Sequence, residues 1–260
     1  MHQKIDKQLV RERFGRSLTT YGTHAVMQKA MASELAEMIC TESCSHSFER
    51  VLEVGSGSGA LTAELLRRCS VKVYHANDLV TESRNCLEAV LADYPVKEFH
   101  FLAGDIESLE VLPQALDLVV SNATLQWLDD LDLFFRKAAT LLRPGGMLAF
   151  SSFSTRNMQE ISTIEGGGLS YYPLEELKNI AGRYFDFIAG KEDVVRMEFG
   201  SPEAVLHHMR QTGVNGLHRR TWTKSRYQHF LSRYRQSYSC ESGVYLTYHP
   251  VYCCLKKKLS

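Results

Sequence analysis

Alternating glycines in the first third of the chain are the clearest sign of chemistry in the sequence. Gly55, Gly57 and Gly59 follow the short apolar run Val51–Val54, and a helical pattern begins directly after them. A strand–turn–helix unit of this kind lets a ligand approach the backbone and presents the free N–H groups of the helix to it. The turn predicts a nucleotide-like ligand, but Gly55, Gly57 and Ala60 also satisfy the dinucleotide fingerprint G-x-G-x-x-G/A.

Three acidic residues near predicted strand ends narrow the choice of ligand. Glu53 can bind the ammonium group of an amino acid and would repel a dinucleotide pyrophosphate, or it can cap the turn that follows. Asp78 can accept hydrogen bonds from two ribose hydroxyls, cap the next helix, or do both. In Gly104-Asp105-Ile106 the acid can accept the exocyclic amine of adenine while Ile106 packs on the ring, although Gly-Asp is also common in ordinary turns.

A regular alternation of strands and helices predicts how these residues are brought together. It implies a parallel sheet with helices on both faces, whose ligand crevice lies beyond the carboxyl ends of the strands. Strands are predicted at 51–54, 71–77, 98–102, 117–121, 147–153, 185–196 and 243–254, with Pro250 at an edge position or a bulge of the last. Helices are predicted at 4–18 and 24–39, separated by a break at Tyr21-Gly22, and at 60–69, 80–93, 130–142 and 224–238.

The composition is typical of a globular protein with free thiols. Of the 260 residues 44% are hydrophobic and 23% charged, and because no apolar run resembles a signal peptide or a membrane span, we expect a cytoplasmic protein. Without an export signal, the seven cysteines favour free thiols over disulfides. Cys40 and Cys44 fit one helix face without a second ligand pair, and Cys253 and Cys254 point to opposite faces of a strand. No metal site is therefore predicted.

The net charge of zero conceals a basic C-terminal region. Residues 204–260 contain ten Lys or Arg residues and one acid, Glu241. This imbalance predicts an acidic partner or substrate. RNA is a competing interpretation, because Tyr227, Tyr234 and Tyr238 interleave with the arginines and could stack on bases, although tyrosines at these spacings are more often core residues.

Five motifs, in this order and spacing, resemble those of the class I S-adenosylmethionine-dependent methyltransferases: Val51–Gly59, Asp78, Gly104-Asp105, Asp117–Asn122 and Leu142–Gly146. The resemblance implies an α/β fold with a Rossmann-like, seven-stranded, mostly parallel sheet in the order 3-2-1-4-5-7-6, the last strand antiparallel, and helices on both faces. It implies one methyltransferase domain with four parts: an N-terminal helical lid at 1–45, a cofactor-binding core at 46–153, a substrate-side insertion with helices at 154–240, and a final antiparallel strand and tail at 241–260.

The same resemblance implies S-adenosyl-L-methionine as the cofactor. Gly55 and Gly57 would pack against its methionine part, Asp78 would bind the ribose and Asp105 the adenine. Asn122 would face the methyl-donor site, and Tyr21 would fold over the cofactor as part of the lid. The complete set of implied cofactor-binding residues is Tyr21, Glu53, Gly55, Ser56, Gly57, Asp78, Leu79, Gly104, Asp105, Ile106 and Asn122.

A narrower resemblance, over essentially the whole chain, is to the malonyl-acyl-carrier protein O-methyltransferases, the family that opens biotin synthesis. Many members carry Cys and Thr where this chain has Ser56 and Ser58, and residues 154–200 match only weakly. The resemblance implies S-adenosylmethionine-dependent O-methylation of the free carboxyl group of malonyl-acyl-carrier protein, which begins the pimeloyl moiety of biotin. The matching segments are Phe14, Tyr21, Ala25 and Gln28, then Ser121–Trp127, Met209–Gly213 and Leu246–His249.

A malonyl carboxylate is already ionised at neutral pH, so this reaction requires no general base and we predict no catalytic residue in the strict sense. The protein must align a carboxylate oxygen with the methyl carbon and the departing sulfur, and proximity and desolvation would supply the rate. Asn122, Gln126 and Trp127 are candidates on the substrate side, with Arg210 as the group that holds the carboxylate. Trp127 could equally be a core residue, and Arg210 a solvated helix arginine.

The acidity of acyl-carrier proteins predicts docking on the basic region, with Arg219, Arg220, Lys224 and Arg226 as candidate contacts. Two alternatives to this function stay open. The chain could methylate another acceptor, either a small carboxylic acid or RNA, or it could be a non-catalytic regulator that binds the cofactor. A nicotinamide dehydrogenase is disfavoured by Glu53 and by the Arg-Pro-Gly-Gly turn.

Overall fold

The computed structural model describes residues 5–43, 45–212 and 223–258, apart from the side chains of Ser17 and of residues 19–24. None of the helices in these ranges is long and apolar enough to cross a membrane. The helices are α1 (Lys7–His24), α2 (Val26–Glu42), α3 (Ala60–Arg68), α4 (Ser83–Leu91), α5 (Leu131–Leu141), α6 (Gln159–Glu165), α7 (Leu174–Ala181), α8 (Pro202–Gln211) and α9 (Lys224–Ser237). The strands are β1 (Ser47–Val54), β2 (Ser70–Asp78), β3 (Glu98–Ala103), β4 (Leu116–Asn122), β5 (Leu142–Phe153), β6 (Phe185–Glu192), β7 (Val195–Phe199), β8 (Ser239–Cys240), β9 (Gly243–Tyr248) and β10 (Pro250–Lys257).

Seven strands form one sheet in the order β3-β2-β1-β4-β5-β10-β6. The first five along the chain pair in parallel, and β10 pairs antiparallel with both β5 and β6. The predicted fold class and strand order are therefore confirmed. Because the five parallel strands all end at the same edge, the residues that follow them are brought close together.

Apolar side chains cover both faces of this sheet. Val51 on β1 packs into a cluster with α2, α3 and α4, whereas its neighbour Leu52 packs into a second cluster with α5 and α7. This alternation follows from the two-residue period of a strand, and burial on both faces explains why β1 reads as a continuous apolar run. Cys254 and Cys253 divide between the same two clusters, as their adjacent positions on a strand predicted.

Two predicted strands are each divided in the structure. Residues 185–196 form β6 and the start of β7, and residues 243–254 form β9 and the start of β10. The pieces β7, β9 and β8 build a separate three-stranded antiparallel sheet. The prediction of an edge position or a bulge at Pro250 is wrong, because β10 lies between β5 and β6 and its pairing shifts only at Cys254 and Leu255. Proline is accepted there as the first residue of its strand, since its missing N–H interrupts no ladder bond.

The predicted helix break at Tyr21-Gly22 and the predicted turn at Arg143–Gly146 are also absent from the structure. The helix α1 continues through Tyr21-Gly22 to His24, and the backbone departs from helical geometry at Ala25, with φ −80° and ψ 51°. One glycine inside a helix costs only about 1 kcal/mol, so it does not by itself end the helix. The segment Arg143–Gly146 lies inside β5, where a bulge shifts the pairing with β4.

Candidate functional site

The glycine turn between β1 and α3 is held against the end of β2. The backbone N–H groups of Gly55 and Ser56 both donate to the carbonyl oxygen of Asn77, at 2.9 and 3.0 Å. At Gly55, where φ is +71°, a Cβ atom would lie 2.2 Å from Thr124 Oγ1. At Gly57, where φ is +51°, a Cβ atom would meet nothing within 4 Å. The first glycine therefore serves the packing of the protein itself, and the second leaves open space for a ligand.

A cavity lies over this turn at the carboxyl edge of the sheet. Every predicted cofactor-binding residue lines it except Tyr21, whose side chain lies outside the described part of the chain. The strand ends supply one wall and residues of α1 and α2 supply the other. The structure thus brings these residues together, and their individual roles toward a cofactor stay predictions.

Glu53 is a buried acid at the end of β1. Its Oε2 atom accepts hydrogen bonds from Thr62 Oγ1 and from the Tyr74 hydroxyl, each at 2.5 Å. Burial raises the pKa of this carboxyl group from 4.5 to about 7, against the opposing effect of the two hydroxyls. Because its donors are side chains of α3 and β2, Glu53 is held by the core rather than by the amides of the turn.

Asp78, at the end of β2, both organises the turn and lines the cavity. Its Oδ2 accepts from the N–H of Gly57 and its Oδ1 from the N–H of Val80, each at 2.7 Å. Burial raises the pKa of Asp78, and the two backbone donors partly offset this. Since a carboxylate oxygen has two lone pairs, each oxygen can accept a further hydrogen bond from a ligand. The predicted role of Asp78 as the cap of the next helix is wrong, because α4 begins at Ser83 with Glu82 in the N-cap position. Its predicted role toward a ribose stays a prediction.

The start of α1 is joined to the loops that surround Asp105. Lys7 Nζ lies 2.5 Å from Glu107 Oε2 and 3.4 Å from the Asp105 carboxylate. The N–H of Ile5 donates to Asp129 at 3.0 Å. Further along α1, Phe14 packs edge-on against Trp127 with ring centroids 5.5 Å apart. These contacts hold α1 across the cavity as a cover, the position that a lid requires.

A smaller cavity adjoins the first. Four residues line both, namely Phe14, Gln28, Ala123 and Trp127, and the remaining walls are Gln126, Phe153, Leu169 and Tyr171. The amide of Gln126 is fixed, since its Nε2 donates to the carbonyl of Ala123 at 2.6 Å and its Oε1 accepts from Ser152 at 3.1 Å. Gln126 and Trp127, predicted from sequence, therefore meet at this second cavity.

Asn122 and Gln28 are neighbours where the two cavities meet. Asn122 Nδ2 donates to the backbone carbonyl of Gln28 at 3.0 Å, and its Oδ1 accepts from Ser151 at 2.6 Å. The Gln28 side chain is only 4% exposed, and its Oε1 has no hydrogen-bond partner among the described residues. A buried amide without a partner is costly, so this position indicates a group reserved for a ligand.

Comparison of the sequence with known proteins identifies the family to which this chain belongs. A family profile described as a methyltransferase domain matches residues 52–150. The malonyl-acyl-carrier protein O-methyltransferase of Chlorobium luteolum is 51% identical over 97% of this chain and 96% of its own length. This chain belongs to the malonyl-acyl-carrier protein O-methyltransferase family. Another member, from Prosthecochloris aestuarii, is 48% identical over 98% of the chain and 95% of its own length.

Solved structures of distant proteins share the fold of this family member. A putative methyltransferase from Bacillus halodurans superposes with a TM-score of 0.64 at 14% identity, over 87% of this chain and all of the other. The N-methyltransferase NodS of Bradyrhizobium japonicum, solved with S-adenosylhomocysteine, gives 0.58 at 12% identity, over 96% of this chain and 99% of the other. At these identities the likeness establishes the fold alone.

Arg210 stands apart from both cavities of this methyltransferase-family chain. It is exposed in the last turn of α8 and does not belong to the described lining of either cavity. Its predicted role as holder of the substrate carboxylate is therefore not supported by a contact and stays a prediction. Arg219 and Arg220 lie outside the described residues.

The basic helix α9 is only partly free to meet a partner. Arg226 is paired with Glu165, and Arg235 with Glu203 at 2.7 Å, whereas Lys224 is exposed. Tyr234 is buried, and its hydroxyl donates to the carbonyl of Tyr245 at 2.9 Å. Because a buried ring cannot stack on a base, the tyrosine pattern here reflects the core.

Several lining residues were missed from the sequence. Asn77 Nδ2 donates to the carbonyls of Leu102 and Gly104, so it joins the ends of β2 and β3 beside the cavity. Because Asn77 directly precedes Asp78 in the sequence, its place beside the cavity could have been predicted. Lys7 and Gln28 come from helices far away in the chain, and only Gln28 had a signal, as part of the family resemblance.

Proposed function

We propose that this protein transfers a methyl group from S-adenosyl-L-methionine to the free carboxylate of a malonyl group on acyl-carrier protein, the step with which its family opens biotin synthesis. Family membership supports the acceptor, because relatives that are 48–51% identical over nearly their whole length carry this activity in their names. The arrangement of acids at the cavity supports the donor.

The cavity fits this cofactor at four points. Open space beside Gly57 accommodates a group against the backbone, and the oxygens of Asp78 keep lone pairs for the ribose hydroxyls. Asp105, which lines the cavity, can accept the exocyclic amine of adenine, and Glu53 can balance an ammonium charge in a buried setting. When bound, S-adenosylmethionine supplies an electrophilic methyl group. The residues of the chain then have to hold the acceptor in line and keep water away from it.

The single observation that best supports carboxyl methylation is the chemistry of the second cavity. Its described lining contains no carboxylate, histidine or lysine, and its tyrosine, Tyr171, has its pKa raised to about 12 by burial. No side chain of this described lining can serve as a base at neutral pH. An acceptor that reacts beside this lining must arrive ready to react, and a malonyl carboxylate, ionised at neutral pH, meets that condition.

Gln28 is suited to orient this carboxylate. Its amide is buried where both cavities meet, and its oxygen lacks a partner among the residues that the structure describes. Rotation of the amide by 180° exchanges this oxygen for the NH₂ donor. A neutral donor positions a carboxylate without quenching its nucleophilicity, as a close cation would. The apolar rings of Phe14 and Trp127 beside it exclude water, which strengthens the interaction.

The carrier protein would dock near the basic C-terminal region. Exposed charges of this kind accelerate encounter with an acidic partner more than they add affinity. We expect the reversal Lys224→Glu, and more strongly the pair Arg219→Glu and Arg220→Glu, to lower kcat/KM for malonyl-acyl-carrier protein by about three- to tenfold. Malonyl-CoA turnover should change little. Lys97→Glu, an equal charge change on an exposed lysine beside β3, is the matched control.

The deciding assay offers labelled S-adenosylmethionine to malonyl-acyl-carrier protein, malonyl-CoA and bulk RNA in parallel. We expect label in the malonyl thioesters and none in RNA. Label in RNA alone would contradict the proposal, and tight cofactor binding with no turnover on any acceptor would favour a regulator. If the charge-reversal variants lost activity equally on malonyl-acyl-carrier protein and on malonyl-CoA, the docking surface would have to lie elsewhere.

A further inference from the structure

Three potential metal ligands meet at a place remote from both cavities. The Sγ atoms of Cys40 and Cys69 and a ring nitrogen of His46 all lie within 4.8 Å of one another, and the two sulfurs are 3.3 Å apart. The three residues do not line the cofactor cavity or its neighbour. Two thiols with an imidazole are the donor set that zinc prefers, and a tetrahedral ion with bonds of about 2.0–2.3 Å requires such spacing with small adjustments.

The backbone holds these ligands in place without help from an ion. Cys40 lies in the last turn of α2, and the N–H of Cys69 donates to Leu65 at 2.8 Å, which ends α3. The carbonyl of His46 accepts from the N–H of Ser70 at 2.8 Å, so the backbone of His46 is tied to the residue after Cys69. Ligands whose backbone is already held in place lose less freedom when they bind a metal, which favours affinity.

Burial and charge also suit a thiophilic cation. Cys69 is 5% exposed, Cys40 is half-buried and His46 is exposed, so an ion can enter from solvent past the imidazole. The nearby Arg68 is paired with Glu64, which offsets its positive charge.

We propose that Cys40, His46 and Cys69 bind one Zn²⁺ ion, with water or another donor as the fourth ligand. Two Zn–S bonds replace two S–H bonds, the two protons go to solvent, and the neutral imidazole adds its lone pair. No electron transfer is involved. The ion would join the end of α2, the segment before β1 and the junction of α3 with β2. Since these elements also carry Gln28, the glycine turn and Asp78, the site stabilises the scaffold rather than the chemistry.

The test uses the full chain without a histidine tag, purified under reducing conditions and stripped of metal by a chelator. Zinc content after adding one equivalent of Zn²⁺ and removing the excess is measured by atomic emission. Binding of Co²⁺ is followed by the thiolate charge-transfer absorption that only sulfur ligands produce. The variants are Cys40→Ser, Cys69→Ser and His46→Ala, with Cys240→Ser as the control, since Cys240 is a half-buried thiol outside the cluster.

We expect one zinc per chain and the thiolate absorption for the wild type and for Cys240→Ser. Each ligand variant should lose more than about 100-fold in affinity, beyond what removal of an outer partner costs. A wild-type chain without zinc or thiolate absorption would overturn the proposal, as would wild-type affinity in the cysteine variants. A Cys40–Cys69 disulfide that forms even with zinc present would reassign the pair to redox chemistry. His46→Ala changes an exposed side chain, so it tests the site even where a cysteine variant fails to fold.

Discussion

Replacement of Glu53 by glutamine should separate stability from cofactor binding. In the ligand-free chain burial raises the pKa of this carboxyl group from 4.5 to about 7. Because the pKa is raised in the folded state, the protonated carboxyl contributes to the stability of the fold. This contribution is fully present below pH 4.5 and is lost as pH rises through about 7. Because each tenfold change in proton affinity is worth about 1.4 kcal/mol, the ionised carboxylate costs folding about 3 kcal/mol at pH 8. The amide of glutamine can still accept from Thr62 and Tyr74 without this cost.

The assay is urea unfolding of the dialysed chain at pH 5 and pH 8. We expect the free energy of unfolding of Glu53→Gln, relative to wild type, to rise by about 2 to 3 kcal/mol between these two values. Burial also raises the pKa of Asp78, which makes the stability of both proteins depend on pH. The quantity to compare is therefore the difference in unfolding free energy between Glu53→Gln and the wild type. A difference that does not vary with pH would refute the assignment of a buried, weakly acidic Glu53.

The same substitution should weaken cofactor binding. The wild-type carboxyl must ionise to face a cation, so we expect cofactor affinity to be about tenfold lower at pH 6 than at pH 8, with little such change in Glu53→Gln. Isothermal titration calorimetry measures both affinities, and proton release in buffers of different ionisation enthalpy reports the linked ionisation directly. Wild-type binding that is independent of pH would argue against contact between Glu53 and the cation.

Four further substitutions test other parts of the site. Gly55→Ala should destabilise the chain by about 2–4 kcal/mol because its Cβ overlaps a side chain, whereas Gly57→Ala should cost about 1 kcal/mol in thermal unfolding but abolish much of the cofactor binding. Asp78→Asn should raise the cofactor Kd by about 10- to 100-fold, since an amide nitrogen cannot accept the backbone donors. Gln28→Leu should lower methyl transfer to malonyl-acyl-carrier protein at least about tenfold with little change in cofactor Kd. Arg210→Ala is the variant for comparison. If only Arg210→Ala lowered methyl transfer, Arg210 and not Gln28 would be the residue that holds the substrate carboxylate.

The parts of the fold that sequence predicted are those set by local pattern. Glu53, Asp78 and Asp105 each follow a recognisable apolar strand, and parallel strands end at one edge, so their convergence needed no further information. The division between β9 and β10 could not be read in this way. Tyr248 and Val251 are both buried, so the chain stays apolar while it passes from one sheet to the other.

Contacts between distant segments account for what the sequence did not predict. Lys7 reaches Asp105 only because α1 crosses the cavity, and nothing in its local sequence indicates that path. Local spacing could compare Cys40 only with Cys44, whereas the packing of α2 on α3 brings Cys40 to Cys69. Neither pairing follows from the period of a helix or a strand, so both required the three-dimensional fold.

The position of the transferred methyl group is the most direct test of carboxyl methylation by this protein. Malonyl-acyl-carrier protein is incubated with S-adenosylmethionine that carries a deuterated methyl group, and the acyl group is released and examined by mass spectrometry. We predict one labelled methyl ester on the free malonyl carboxyl, lost on mild alkaline hydrolysis, and a greatly reduced yield with Gln28→Leu. Label on a side chain of the carrier protein, or on the malonyl methylene carbon, would contradict it.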